Sequence, residues 1–294
     1  MTQFNEQYPS ASNAFYQWVA NQVQAALAED IGSGDLTALL VPATQQVGAT
    51  LIARESAIIC GIDWVNTCFM QLDSNCRIHW WVTEGERVQA NQVLCEINGL
   101  ARALLTGERC ALNFLQTLSA TATETQKYVA AITGTQAQIL DTRKTIPHLR
   151  LAQKYAVTVG GGYNQRLALY DGILIKENHI AAAGNISAVM AQAFALNSGK
   201  SIQIEVENLQ QLQEALDAGA TNILLDNFER DLLKEAVSIN QASGKNAMLE
   251  ASGGITLENV REIALTGVDR ISIGSLTKSV QAIDLSMRIH SRAH

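Results

Sequence analysis

The stretch IQIEVENLQQLQEALDAGATNILLDN, residues 202–227, decides the fold class. Apolar Ile202, Ile204 and Val206 alternate with polar residues, a helical segment follows, and a second apolar run, Ile223 to Leu225, closes on Asp226. A strand, a helix and a second strand in this order form a βα unit, which predicts neighbouring parallel strands. The same rhythm continues on both sides, with runs at Ile139 to Leu140, Ile173 to Ile175, Met248 to Leu249 and Ile271 to Ile273. Each run ends in polar residues or glycine: DTRK, KENH, EVEN, DNF, EASGG and IGS. Six parallel strands fit either an incomplete α/β barrel or an open doubly wound sheet, and in a barrel the loops at the carboxyl ends converge on one mouth.

Strand alternation sorts the acidic residues. With Ile202, Ile204 and Val206 turned to the helices, Gln203, Glu205 and Glu207 share the other face, so Glu205 points inward. Asp226, in step with Leu224 and Asn222, points inward from the next strand. Two such carboxylates suit ribose hydroxyls or a magnesium ion brought by a substrate; Glu207 reads as a solvated strand end. Two small-residue loops, Ser252-Gly253-Gly254 and Gly274-Ser275, follow late strands, and the first leads into a helix expected near Leu257. Backbone amides in such loops approach a phosphate closely, and a helix N-terminus adds a favourable dipole.

The first third reads differently. Ala14, Trp18, Val19, Val23, Ala26 and Leu27 recur at helical spacing over Asn13 to Ala28, and Asp30, Gly32 and Gly34 end the pattern. Strand-like runs follow at Ala49 to Ala53, Arg77 to Val82 and Gln92 to Ile97, with a helix near Ile62 to Leu72 and a turn at Glu84 to Glu86. Strands and helices without βα alternation predict a small α+β domain. A long helix is expected from Ala101 to Ala131, interrupted only by Gly107.

Residues 138–180 hold six basic residues (Arg143, Lys144, Arg150, Lys154, Arg166, Lys176) against three acids (Asp141, Asp171, Glu177), whereas the whole chain carries −7. A net acidic protein repels nucleic acid and acidic membranes at long range, so the local surplus points to a pocket for a small anion. Arg143 and Lys144 follow a strand end, Arg166 follows the flexible Gly160-Gly161-Gly162 run, and Lys176 closes a strand. These four form the expected cationic pocket, and the planar fork of arginine suits carboxylates. Arg150 and Lys154, opposite the face of Leu149, Ala152 and Ala156, read as surface or supporting charges. His179 is either a hydrogen bonder behind Lys176 or a plain structural histidine.

At 294 residues the chain is long enough for about two domains. Five cysteines without CxxC spacing indicate neither a disulfide framework nor a zinc site, and fit reduced thiols in a cytoplasm. No export signal and no membrane-spanning apolar run are expected.

The segments GERCALNFLQTLSATAT, DTRKTIPHLRLAQKYAV, GGGYNQRL, LIKENH, LEASGG and ISIGSLT, in this order, resemble the quinolinate phosphoribosyltransferases. The resemblance runs from AEDIGSGDLT at residues 28–37 to TKS at 277–279. It implies an N-terminal α/β sandwich, residues 1–112 joined by 278–294, and an incomplete α/β barrel over 113–277. It implies quinolinate and phosphoribosyl pyrophosphate as substrates, magnesium as cofactor, and a cytoplasmic homodimer or higher homo-oligomer in which Arg109 of one subunit completes the other's site. Carried over by motif, Thr142, Arg143, Lys144, Arg166 and Lys176 bind quinolinate and pyrophosphate, Glu205 and Asp226 the ribose and metal, and Ser252, Gly253, Gly254, Ile273, Gly274 and Ser275 the phosphate. Lys144, Lys176, Glu205 and Asp226 are the expected catalytic set.

Two departures from the family pattern stand out. Asn164-Gln165-Arg166 occupies the place of Asn-His-Arg, and Ser119-Ala120-Thr121-Ala122-Thr123 that of Ser-Gly-Ile-Ala-Thr. Gln165 removes a possible positive charge beside the substrate, which bears on affinity and pH dependence. Three other readings stay open at this point: a Schiff-base enzyme with Lys176 as nucleophile, a non-catalytic phosphometabolite sensor, and a related transferase acting on another pyridine.

Overall fold

The computed structural model describes Glu6, Pro9 and residues 12–290, and it divides into two compact units. Among the described residues one unit runs to Glu124 and takes up the chain again from Ser279; the other spans Thr125–Lys278. The division falls inside the helix Ala101–Ala131, later than the expected 112/113 junction.

In the first unit, strands β1 (Gln46–Ala53), β2 (Ala57–Ile58), β3 (Arg77–Trp80), β4 (Arg87–Val88) and β5 (Val93–Leu100) appear in chain order. The larger sheet has the order β12-β1-β5-β3, where β12 (Leu285–His290) is the returning end of the chain, antiparallel to β1. No reading of the sequence singled out β2, β4 or β12 as strands. The helix Asn13–Ile31 starts at Ser12, whose hydroxyl accepts the Phe15 amide at 3.1 Å. It outlasts the expected end at Ala28 and stops at Gly32, with φ 52°. Phe15 and Trp18 pack edge-on against Trp64 of the helix Ile62–Leu72, with centroids 6.0 and 5.4 Å apart. Gly107 lets the long helix approach closely, because a Cβ there would lie 2.9 Å from the Leu72 side chain. Cys60, Cys68, Cys95 and Cys110 are buried free thiols, and Cys76 is half-buried.

The second unit is built on six parallel strands: β6 (Gln138–Leu140), β7 (Ile173–Ile175), β8 (Ile202–Val206), β9 (Asn222–Asp226), β10 (Met248–Ser252) and β11 (Arg270–Ser272). Their order is β6-β11-β10-β9-β8-β7. Consecutive strands pair in one direction without reversal, and the last pairs with the first. This is an incomplete barrel, open between β6 and β7; a doubly wound sheet would reverse direction part-way. Tyr163 bridges to the free edge of β6 at Leu140 within that gap.

The outward faces of the strands bury Ile204, Val206, Ile223, Leu225, Leu249, Ala251 and Ile271 in one apolar cluster. The helices complete it with stripes such as Leu212, Ala215 and Leu216 of Leu209–Asp217, spaced to lie on one face. Asn185 and Asn208 accept the amides of Ala188 and Gln211, at 2.8 and 2.9 Å, and so start two of these helices. The Gly160-Gly161-Gly162 run, expected to be flexible, ends in a tightly packed residue. A Cβ on Gly162 would lie 2.8 Å from Thr125 and 2.9 Å from Val157, so close packing demands glycine.

Candidate active site

With the apolar face of each strand turned to the helices, its alternate residues point into the barrel, and most of those are polar. A cavity of about 640 Å³ opens at the carboxyl ends of the strands. Thr142, Arg143, Lys144, Arg166, Lys176, Glu205, Asp226, Ser252, Gly253 and Gly254 line it, all of them candidates from the sequence. Gln165, Leu174, Leu224, Asn227, Glu250 and Ser272 complete the wall.

Four candidates stand elsewhere. Ile273 turns its side chain into the apolar cluster and donates its amide to Leu140 at 2.9 Å. Gly274 is not among the lining residues, and a Cβ there would come within 3.0 Å of the Lys144 side chain and 3.6 Å of that of Thr142. Ser275 is not among the lining residues, and its buried Oγ has no hydrogen-bond partner among the described residues. Arg109 is exposed on the long helix, within the first unit.

The cations are held by different means. Lys176 Nζ donates to Glu205 Oε2 at 2.6 Å, and the Lys176 amide donates to His179 Nδ1 at 3.0 Å. His179 thus caps the helix Glu177–Ala183 and fixes the backbone at the end of β7. Arg166 is 8 % exposed, and its guanidinium donates to the Gly172 carbonyl at 2.9 Å. Burial, and then the neighbouring charge of Arg143, push the Arg166 pKa below its ordinary value. Buried Asp171 offsets part of that repulsion, and with both guanidinium groups on one cavity wall the place suits an anion. The buried Nε of Arg143 has no partner among the described residues, a donor left over for a ligand.

Of the two readings open for Lys154, surface or supporting charge, the surface one fails. Lys154 is 0 % exposed and forms an ion pair with fully buried Asp141. Asp141 also accepts Asn164 Nδ2 at 2.7 Å and the Gln165 amide at 2.9 Å, while Lys154 donates to the Gln165 carbonyl at 3.0 Å. The pair therefore ties the loop that follows β6 to the segment carrying Arg166. Helical spacing placed Lys154 away from its apolar neighbours, but could not show a second packed surface there. Arg150 is a supporting charge, as expected, with Nε on Thr145 Oγ1 at 3.1 Å.

The glycine loop also differs from expectation. Gly253 and Gly254 have φ of 97° and 62°, and a Cβ on Gly253 would collide with the Asn227 side chain. The following helix is Val260–Ala264, not one from Leu257, and it is only five residues long. Its dipole contributes little, so the loop itself must do the work of any phosphate cradle.

Sequence reasoning missed Gln203 and Glu250, which lie behind the wall and within it. Gln203 Nε2 donates to Glu250 Oε2 at 2.8 Å, and both approach Gln165. Burial pushes the Glu250 carboxyl above its ordinary value. The inward alternation that selected Glu205 also passes through Gln203, and Glu250 stands two residues before Ser252; that was the available signal.

Comparison with known proteins accounts for nearly the whole chain. The family models described as quinolinate phosphoribosyl transferase N-terminal and C-terminal domains match residues 35–119 and 121–288. The chain belongs to the quinolinate phosphoribosyltransferase family. It is 42% identical over 262 residues to the probable nicotinate-nucleotide pyrophosphorylase [carboxylating] of Bacillus subtilis, covering 89% of this chain and 90% of the relative. The corresponding Mycobacterium leprae protein is 38% identical over 283 residues, 94% of this chain and 99% of its own. The solved nicotinate-nucleotide pyrophosphorylase of Francisella tularensis shares 43% identity with a TM-score of 0.91, covering 99% of this chain and 100% of that one. The family members are phosphoribosyl-transferring enzymes, and the type II phosphoribosyltransferase fold is theirs. No helix among the described residues is long and apolar enough to cross a membrane.

Proposed function

We propose that this family member joins quinolinate to phosphoribosyl pyrophosphate, yielding nicotinate mononucleotide, pyrophosphate and carbon dioxide as a step towards NAD. The supporting observation is one cavity in which Arg143, Lys144, Arg166 and Lys176 converge with Glu205 and Asp226. A pyridine dicarboxylate and a pyrophosphate together need several cations, and the ribose between them needs carboxylates.

The assignment of roles follows from charge and position. Arg143 and Arg166 hold the carboxylates of quinolinate, with Thr142 beside them. Lys144 and Lys176 neutralise the departing pyrophosphate, while Ser252, Gly253 and Gly254 receive the 5′-phosphate. The pyridine nitrogen attacks the anomeric carbon as the bond to pyrophosphate breaks, and the leaving group takes the electron pair. Glu205 and Asp226 orient the ribose hydroxyls and stabilise the positive charge that develops on the ring. When the 2-carboxylate departs as carbon dioxide, the electron pair of the broken bond stays on C2 of the ring, where the adjacent cationic nitrogen stabilises it until a proton from solvent completes the product. The ammonium of Lys176, engaged by Glu205, serves as a charge here rather than as a Schiff-base nucleophile.

Magnesium fits as an ion carried mainly by the substrate phosphates. Among the described residues no group of three or more His, Cys, Asp or Glu could hold a metal, so Glu205 and Asp226 offer only a partial ligand set. When bound, the ion would neutralise the pyrophosphate oxygens. We further assign the enzyme to the cytoplasm and to a homodimer in which Arg109 of one subunit reaches the quinolinate held by its partner. Incubation with quinolinate, phosphoribosyl pyrophosphate and magnesium tests the function: nicotinate mononucleotide should accumulate, and its absence from a folded preparation would refute the reading.

A further inference from the structure

Gln165, Gln203 and Glu250 are 5 %, 1 % and 0 % exposed. They come from the β6–β7 connection, from β8 and from β10, and one network joins them inside the barrel. Gln165 Nε2 donates to Gln203 Oε1 at 2.6 Å and lies 3.3 and 3.4 Å from the two oxygens of Glu250. Gln203 Nε2 donates to Glu250 at 2.8 Å, and Ser272 bonds the same carboxyl from β11. On its opposite side, Gln165 Oε1 accepts the backbone amide of Arg166 at 2.6 Å.

A primary amide has two hydrogens and one oxygen to offer. Both hydrogens of Gln165 face Gln203 and Glu250, so none is left for a ligand, although the residue lines the cavity. Its oxygen instead fixes the backbone of the residue whose guanidinium is held at the other end by Gly172. Arg166 is thereby aimed by contacts independent of any bound molecule. We propose that Gln165 is a positioning residue for Arg166, anchored by Gln203 and Glu250, and that it makes no hydrogen bond of its own to the substrate. The inference rests on the reading of Arg166 as a clamp for a quinolinate carboxylate.

A double-mutant cycle separates the two roles. Losing the amide in Gln165→Met should raise KM for quinolinate roughly ten-fold, about the loss of one hydrogen bond to a charged group, with KM for phosphoribosyl pyrophosphate within about two-fold of wild type. In an Arg166→Ala background the same substitution should add almost nothing, because coupled residues are not additive. A full penalty persisting without Arg166, or no penalty with it, overturns the proposal. Gln203→Met removes an anchor that lies outside the cavity lining, and keeps the test decisive should the first variant not fold. It should reproduce the split between the two KM values at a few-fold, and unchanged kinetics in that variant likewise overturn the proposal. Wild-type protein that neither binds nor turns over quinolinate would instead fail the functional reading, and the inference with it.

Discussion

Lys176 Nζ and Glu205 Oε2 lie 2.6 Å apart across the neighbouring strands β7 and β8, with the lysine side chain 44 % and the glutamate 11 % exposed. A pair open to solvent contributes only about 0–1 kcal/mol to stability. Its value lies in preorganisation, since the ammonium and the carboxylate meet at the mouth where an anionic leaving group and a cationic ribose must be accommodated together.

Replacing Lys176 with methionine should therefore separate stability from activity. We expect kcat/KM for phosphoribosyl pyrophosphate to fall roughly ten- to hundred-fold, the worth of a hydrogen bond to a charged group. The melting temperature should move little. Parallel steady-state kinetics and thermal melts check both halves.

Arg143→Lys retains the charge but loses the planar fork and the buried Nε that has no partner among the described residues. Catalytic efficiency with quinolinate should drop by roughly ten-fold or more, at about 1.5 to 3 kcal/mol for the lost charged hydrogen bond. Unchanged kinetics would remove Arg143 from the carboxylate site.

Lys154→Met should act on stability first. It leaves Asp141 buried without its cation, and breaking a buried pair costs about 3–5 kcal/mol. Adding Asp141→Asn to it should recover part of the loss, as measured by urea unfolding. Such recovery would distinguish an orphaned charge from lost packing.

Glu250 predicts a pH signature. Burial raises its folded-state pKa above the ordinary 4.5, so the folded protein holds this proton more tightly than the unfolded chain. The associated stabilisation is complete below pH 4.5 and declines as pH rises through the raised folded-state value. Glu250→Gln lacks this dependence. Its melting temperature should consequently gain on that of wild type as pH increases above 4.5, a trend that melts at matched pH would reveal.

The outline of the barrel was legible because apolar runs alternate with helical segments, and counting the pleat along Ile202–Val206 and Asn222–Asp226 separates helix-facing from inward positions. That same count placed Glu205 and Asp226 on the cavity wall. Periodicity alone left barrel and doubly wound sheet both open, and only the family resemblance pointed to the barrel, since the distinction lies in whether β11 pairs with β6, a contact between distant residues. Short β2 and β4 carry too few residues for a pattern. The burial of Lys154 and the place of Glu250 went unread because charge reads as surface unless the buried partner is known. The role of Arg109 rests on the family resemblance, because nothing in its helical surroundings distinguishes it from an ordinary exposed arginine.

Quinolinate labelled in its 2-carboxylate, supplied with phosphoribosyl pyrophosphate and magnesium, puts the central claim to its most direct test. The account predicts one labelled carbon dioxide released for each nicotinate mononucleotide formed, with release dependent on phosphoribosyl pyrophosphate. Turnover of nicotinate in preference to quinolinate, without carbon dioxide, would contradict it.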